Sequence, residues 1–212
     1  MIKYLIALDR DGTINVDQGY TGSDPGWREK FALMPNVISG LRKLLQIKDA
    51  KIVVVSNQVG VARGFVSLET VVEINRVLSG MLKAEGIELD GWFQCCYAPI
   101  DYAMKKGIPL DSPWIKDTDL RKPDIGMLRQ AAESFGMTLD DFSSIYTMGD
   151  KATDVQTGLN AGGKGIFLLN SSYPEEIAVT RALHSNLAYI SRVFFAEDFS
   201  DGADLIIRDI NQ

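Results

Sequence analysis

The sequence predicts an α/β fold: a Rossmann-like three-layer α/β/α sandwich on a mostly parallel sheet, forming one domain over residues 1–212. Three observations carry that prediction. Short continuous apolar runs, such as Tyr4-Leu5-Ile6-Ala7-Leu8 and Ile52-Val53-Val54-Val55, read as strands buried on both faces, which is how parallel strands read. Stretches with helical apolar spacing alternate with those runs along the chain. Polar residues able to do chemistry follow directly on several of the runs, at the strand ends where open α/β sheets bind their ligands.

Taken in order, the first strand is Tyr4–Leu8, and Val37, Leu41, Leu44 and Leu45 then form a helical stripe. A second strand over 51–55 ends at Ser56. Ser67 is the expected N-cap of a helix bearing Leu68, Val71, Val72, Leu78, Met81 and Leu82, which Gly86 ends. The third strand spans 92–97. Pro123 opens a helix with Leu128, Ala131, Ala132 and Phe135, closed by Gly136. Thr138 and Asp141 form a capping pair for one further turn. Strands at 144–148 and 165–169 follow, then a helix near 174–183, a sixth strand near 189–195 and a closing helix near 200–210. Two stretches, 15–35 and 99–120, lack periodicity. Loops of about 20 residues are uncommon and usually functional. Both leave the carboxyl end of a predicted strand, so both are expected to overhang the same sheet edge.

Composition narrows the class. Hydrophobic content of 46% and charged content of 24% are ordinary for a globular protein, and no apolar run approaches the roughly 20 residues a membrane helix needs. Met1 to Tyr4 leads straight into a strand, so no signal peptide is expected. A formal charge of −6 and the lack of a Lys/Arg-rich segment disfavour nucleic-acid partners, while a bound cation keeps phosphate chemistry open. Cys95 and Cys96 are adjacent, where a disulfide is strained, so a reducing, cytoplasmic setting is expected. The expectation is a monomer with no membrane partner.

Four segments fall at the predicted sheet edge: Asp9-Arg10-Asp11-Gly12-Thr13, Ser56-Asn57-Gln58, Arg121-Lys122-Pro123, and Gly149-Asp150-Lys151 with Asp154. Each has a plain reading as a turn, a solvated loop charge or a helix cap. Together, in this order, they suit phosphoryl transfer with a divalent cation. A magnesium ion held by carboxylates offsets the repulsion between a phosphate monoester and an anionic nucleophile. Asp9 is placed to attack phosphorus, and Asp11 to protonate the leaving oxygen and then activate water. Ser56 offers a hydroxyl and a backbone N–H to phosphate oxygens, and Lys122 a positive charge. Asp150 completes a metal site with Asp9 and the backbone carbonyl of Asp11.

The order Asp-x-Asp-Gly-Thr, Ser-Asn, Lys-Pro, Gly-Asp-x-x-x-Asp resembles the haloacid dehalogenase superfamily of phosphatases, over about 2–169 of the chain. Longer matches resemble its D-glycero-D-manno-heptose-1,7-bisphosphate 7-phosphatase group. They are Leu8-Asp9-Arg10-Asp11-Gly12-Thr13-Ile14-Asn15, Asp17-Gln18-Gly19-Tyr20, Val53-Val54-Val55-Ser56-Asn57-Gln58-Val59-Gly60-Val61-Ala62-Arg63-Gly64, Arg121-Lys122-Pro123-Asp124-Ile125-Gly126-Met127 and Met148-Gly149-Asp150-Lys151. Histidinol phosphatases and polynucleotide 3′-phosphatases share parts of them. The resemblance implies catalysis by Asp9, Asp11, Ser56 and Lys122, magnesium on Asp9, Asp11 and Asp150, and a small phosphorylated metabolite as substrate. It also implies that Arg10, Asn57, Gln58, Arg63 and Arg121 surround the substrate. A heptose bisphosphate is the first expectation; histidinol phosphate, another phosphosugar, a 3′-phosphorylated nucleic-acid end, or no catalysis at all on the same fold are the alternatives.

The chain departs from that group in one respect. A structural zinc loop is usual there, with Cys-x-His after the third strand and Cys-x-Cys before Arg-Lys-Pro. Here Cys95 takes the first position, but Tyr97 or Ala98 stands where the histidine belongs, and Thr118 and Leu120 replace the later pair. A structural site needs about four ligands, so no zinc is expected. The 99–120 loop must then order itself otherwise, with Trp114, Ile115, Pro109 and Pro113 as packing and stiffness. The stretch between Asp9 and Ser56 leaves no room for a cap domain, and Trp27, Arg28, Lys30 and Phe31 are candidates to reach the substrate from the first loop.

Overall fold

The computed structural model describes residues 2–170 and 172–212. Six strands form one sheet in the order β3-β2-β1-β4-β5-β6. They are β1 (Tyr4–Leu8), β2 (Ala50–Asn57), β3 (Gly91–Cys95), β4 (Ser144–Gly149), β5 (Lys164–Leu168) and β6 (Val193–Ala196). Every neighbouring pair is parallel. The helices are α1 (Trp27–Lys30), α2 (Val37–Leu44), α3 (Leu68–Ala84), α4 (Ile100–Lys106), α5 (Gly126–Ser134), α6 (Ala152–Asn160), α7 (Pro174–His184) and α8 (Phe199–Ile210). The chain is thus the Rossmann-like α/β fold its sequence predicts.

β1 lies between β2 and β4, with Leu8 in register with Val54 on one side and Met148 on the other. The segments leaving these three strands therefore start side by side. Successive residues of β1 serve opposite layers. Ile6 and Leu8 pack with Leu41, Ile74, Leu78 and Phe199, whereas Leu5 and Ala7 pack with Met127, Leu128, Ala131 and Ala132. Burial on both faces is why the strand is apolar throughout.

The helix punctuation works as its chemistry suggests. Ser67 Oγ accepts from Thr70 N at 3.1 Å, and Asp141 closes a capping box on Thr138 at 2.7 Å. Pro123 does not open α5, which begins at Gly126. The residues between are spent on turns, with Asp124 N donating to Arg121 O at 2.9 Å and Gly126 N to Asp119 O at 2.8 Å. β6 starts later than predicted, because Tyr189 O accepts from Arg192 N and Val193 N, at 2.7 and 3.1 Å, in a turn.

Both aperiodic stretches hold a helix. α4 escapes pattern reading because only Ala103 in it is buried, so no apolar stripe exists. The rest of that stretch is tied down by a bridge between Ala98 and Ile115, with Ala98 N donating to Trp114 O at 2.9 Å and Lys116 N to Ala98 O at 3.0 Å. Trp114 lies 5.7 Å from the Tyr97 ring and packs on Val61, Val71 and Cys96. In the earlier stretch, Trp27 and Phe31 are buried in the apolar layer beneath the sheet. Arg28 pairs with Glu73 at 2.7 Å and Lys30 with Asp24. None of these four lines the cleft described next.

Candidate active site

A cleft of about 500 Å³ opens where β1, β2 and β4 end. A hollow of similar size, about 460 Å³, lies between the α2–β2 turn and the end of α8, but Lys3, Lys43, Ile47 and Ile207 line it and no carboxylate cluster does. Chemistry, not volume, distinguishes the two.

Asp9 follows β1 directly, and its N–H donates to Met148 O at 2.9 Å, which keeps the peptide in sheet register. Its Oδ1 accepts from Lys122 Nζ at 2.5 Å. The same ammonium donates to Val55 O at 2.8 Å and lies 2.6 Å from Asp154 Oδ1. All three side chains are buried. Such an ammonium is tolerated because a carbonyl and two carboxylates replace its water. Burial alone would lower the Lys122 pKa; Asp154 and Asp9 outweigh it and raise it. Asn57 fixes the backbone beneath this charge. Its Nδ2 donates to Lys122 O at 3.1 Å, and its Oδ1 accepts from Lys122 N at 3.0 Å.

Asp9, Asp150 and Asp154 each bring a carboxylate oxygen within 4.8 Å of the others'. Asp150 is fully buried, yet neither of its oxygens has a hydrogen-bond partner. Two orphaned acceptors beside two further carboxylates fit a hard divalent cation, which prefers oxygen ligands. The strain is electrostatic. Burial, then the Asp9 charge, push Asp150 up to about 8. Burial pushes Asp9 up to about 6 against the pull of Lys122.

Asp11 sits in the opposite environment. Its Oδ2 accepts from Arg10 Nη2 at 2.8 Å and Gln58 Nε2 at 2.7 Å, and its Oδ1 from Asn15 Nδ2 at 2.9 Å. Burial raises its pKa, but the Arg10 charge and these donors carry the balance below the ordinary carboxylate value. Gln58 Nε2 also donates to Ser56 Oγ at 2.8 Å, so one amide ties Asp11 to Ser56.

Asp9, Asp11, Ser56, Asn57, Gln58, Arg121 and Lys122 therefore share one cleft lining. Asp150 stands directly behind it. Arg10 does not reach the cleft: it is fully buried, with Nη1 donating to Asn75 Oδ1 at 2.8 Å. Its place is behind Asp11. Arg63 is set off the cleft as well, stacked 4.4 Å from the Phe65 ring and bonded to the Tyr20 hydroxyl; Tyr20 is the residue at the cleft. Arg121 stands 5.9 Å from the Tyr102 ring of α4. From 15–35 the lining takes Asp17, Gly19 and Tyr20; from the later stretch the lining begins only at Arg121.

Sequence reasoning named Asp154 as part of a spacing pattern without giving it a task; its contact with Lys122 is long-range and invisible locally. It likewise named Lys151 at the sheet edge without giving it a task, and it missed Tyr173 and Glu176 in the lining altogether. Tyr173 and Glu176 lie in the tail, where no motif marks them.

Comparison with known proteins identifies the family. The family model described as polynucleotide kinase 3 phosphatase matches residues 4–188. The chain belongs to that family, within the haloacid dehalogenase-like phosphatases. Like its relatives, this family member is a phosphatase. D-glycero-beta-D-manno-heptose-1,7-bisphosphate 7-phosphatase of Haemophilus influenzae is 32% identical over 169 residues, covering 80% of this chain and 83% of that protein. D-glycero-alpha-D-manno-heptose-1,7-bisphosphate 7-phosphatase of Photorhabdus laumondii is 30% identical over 179 residues, covering 84% and 89%. The phosphatase also shares its fold with D,D-heptose 1,7-bisphosphate phosphatase from B. bronchiseptica, solved with magnesium and phosphate. That match has a TM-score of 0.73 at 23% identity over 98% of this chain and 99% of the other.

Proposed function

We propose that this phosphatase removes the 7-phosphate of a D-glycero-D-manno-heptose 1,7-bisphosphate through a phospho-aspartyl intermediate on Asp9. The observation that carries this reading is the Asp9 carboxylate held on the Lys122 ammonium beside the partnerless Asp150. Magnesium would be held by Asp9, Asp150 and the backbone carbonyl of Asp11, with Asp154 adjoining, and would supply positive charge against the phosphate.

In the first step an Asp9 carboxylate oxygen attacks phosphorus, the bond from phosphorus to the sugar oxygen breaks, and Asp11 gives that oxygen a proton. In the second, Asp11 takes a proton from water, the water oxygen attacks phosphorus, and the acyl phosphate bond breaks. Inorganic phosphate leaves and the Asp9 carboxylate is restored. Lys122 neutralises the transferring group while fixing the nucleophile. Ser56, oriented by Gln58, donates to a phosphate oxygen. The donors around Asp11 favour its carboxylate form, and an arriving phosphate beside it raises its proton affinity, the swing an acid that becomes a base requires. Asn57 and Arg10 act by holding Lys122 and Asp11, and Arg121 is a cleft-lining cation placed to meet a second phosphate.

The family model's description favours a second reading, a polynucleotide 3′-phosphatase; the net charge of −6 opposes it. Histidinol phosphate or another phosphosugar shares the chemistry. Both heptose anomers occur among the relatives' substrates, and the reading does not choose between them. Zinc has no part in it, since Cys95 is buried in an apolar layer and Tyr97, Thr118 and Leu120 offer no thiolate or imidazole. Every proposed catalytic group comes from one chain, so a monomer suffices. The two free, buried thiols suit a cytoplasmic setting, and among the described residues no helix is long and apolar enough to cross a membrane.

The test is phosphate release from both heptose bisphosphate anomers, histidinol phosphate and a 3′-phosphorylated oligonucleotide, with magnesium and with chelator. Magnesium-dependent turnover of a heptose bisphosphate supports the reading, and preference for the oligonucleotide replaces it. Asp9→Asn should lower turnover by roughly 10³-fold or more with the fold retained; residual activity near the parent's would remove Asp9 as nucleophile.

A further inference from the structure

Arg121 and its neighbour Lys122 share a tightly fixed backbone. Leu120 N donates to Thr118 Oγ1 at 3.2 Å, Asp124 N to Arg121 O at 2.9 Å, and Asn57 holds Lys122 through both ends of its amide. The Lys122 ammonium is fixed as well, on two carboxylates and a carbonyl. The Arg121 guanidinium is held otherwise. Its Nη1 is buried without a hydrogen-bond partner, and the centre of the Tyr102 ring lies 5.9 Å from its Cζ. Buried donors are rarely left open, so an unfilled one on a residue that lines the cleft points to a ligand.

Tyr102 belongs to α4, which adds little to the core, since only Ala103 in it is buried. The helix is fastened at its start instead. Ile100 N donates to Asp117 Oδ1 at 3.1 Å, and the preceding Ala98 bridges to Ile115. These contacts join α4 to the segment that leads into Arg121.

We infer that Tyr102 is a positioning residue, whose ring steadies the Arg121 guanidinium for a second phosphate and so favours bisphosphate substrates over monophosphates. The inference rests on the reading of Arg121 given above. Its basis is what an aromatic face does to a cation. An arginine side chain has much rotamer freedom to lose when it binds an anion, and restricting it beforehand lowers that cost. A carboxylate partner would restrict it too, but would occupy its donors and offset its charge. A ring face attracts the guanidinium through its π electrons and leaves the N–H groups available. Arg121 then keeps its charge and its forked donors for phosphate oxygens. Tyr102 is absent from the cleft lining, so it acts through Arg121 and not on the sugar.

The experiment compares kcat and KM for D-glycero-D-manno-heptose 1,7-bisphosphate and for the heptose 7-phosphate at saturating magnesium. The enzymes are the parent, Tyr102→Phe, Tyr102→Ala, Arg121→Met and the double variant Tyr102→Ala/Arg121→Met. The two substrates share the scissile ester and differ only in the second phosphate. Tyr102→Ala is expected to raise KM for the bisphosphate roughly fivefold while kcat stays within about twofold. For the monophosphate, KM should stay within about twofold of the parent. Tyr102→Phe, which keeps the ring, should stay near the parent. In the Arg121→Met background, Tyr102→Ala should raise the bisphosphate KM no further. Equal changes on both substrates, unchanged kinetics, or an additive effect in the double variant overturns the inference. If Tyr102→Ala melts early, Tyr102→Leu, apolar but without the ring, decides it by the same comparison. If Arg121→Met keeps the parent's ratio of the two KM values, the reading of Arg121 falls and the inference with it. A parent that turns over neither substrate overturns the phosphatase reading itself.

Discussion

A side chain at Gly12 would place its Cβ 2.3 Å from Asp150 Oδ2. The backbone of the strand exit and the buried carboxylate behind it occupy adjoining space, and Gly12 also holds φ at +85°, where a Cβ costs about 1 kcal/mol. Gly12→Ala should therefore displace Asp150. The expected result is at least about tenfold lower turnover with a higher magnesium requirement, read from activity against magnesium concentration. An unchanged magnesium curve would mean that Asp150 has no part in holding the ion.

Asp150→Asn separates stability from function. Burial and the neighbouring Asp9 charge hold Asp150 up at about 8, so the ionised group is under strain in the metal-free protein. A neutral amide relieves the repulsion. Metal-free Asp150→Asn should melt a few degrees above the metal-free parent, on the order of 1 kcal/mol, and magnesium should no longer raise its melting temperature. A variant less stable than the parent contradicts the strain.

The pH dependence has a definite sign. Asp9 is raised from 3.8 to about 6 and Asp150 from 3.8 to about 8. A carboxyl whose pKa is raised by folding contributes its stability below the unfolded value and loses it as pH climbs through the folded one. Metal-free protein should thus lose stability between about pH 4 and 8. Magnesium binds the ionised forms, so the stabilisation it brings should grow over the same interval. Melting curves at several pH values, with chelator and with magnesium, check both halves; a metal-free melting temperature that rises over this interval would contradict the assignment.

Arg10 tests the support behind the acid/base. Its guanidinium is fully buried between Asn75 and Asp11. Arg10→Gln leaves a carboxylate short of its charge partner and should destabilise the fold by about 3–5 kcal/mol, measured by denaturant unfolding. A loss below about 1 kcal/mol would show that Asn15 and Gln58 alone keep Asp11 in place.

Much of the sheet and its chemistry was legible because it is local. Tyr4 to Leu8 is apolar without interruption and is followed at once by Asp9 and Asp11, and Met148-Gly149-Asp150 repeats the arrangement. What was not legible depends on contacts between remote residues. The inward turn of Arg10 depends on Asn75, in the middle of α3. The link of Asp154 to Lys122 and that of Tyr173 to Asp17 join residues far apart in sequence, and no local spacing says which distant partner each will meet. α4 went unseen for a related reason: its surroundings bury one alanine, too little to impose a period.

The alternation along β1 bears on how such a chain can change over generations. Leu5 and Ala7 belong to one layer, Ile6 and Leu8 to the other, and Asp9 continues the first series toward Lys122. Removing or adding one residue anywhere in that strand would exchange the two sets and turn the nucleophile toward the wrong layer. Point substitutions in β1 can be absorbed one side chain at a time, but length changes cannot. Insertions and deletions are thereby directed into the connections on either side, and among those connections are the segments that meet the substrate.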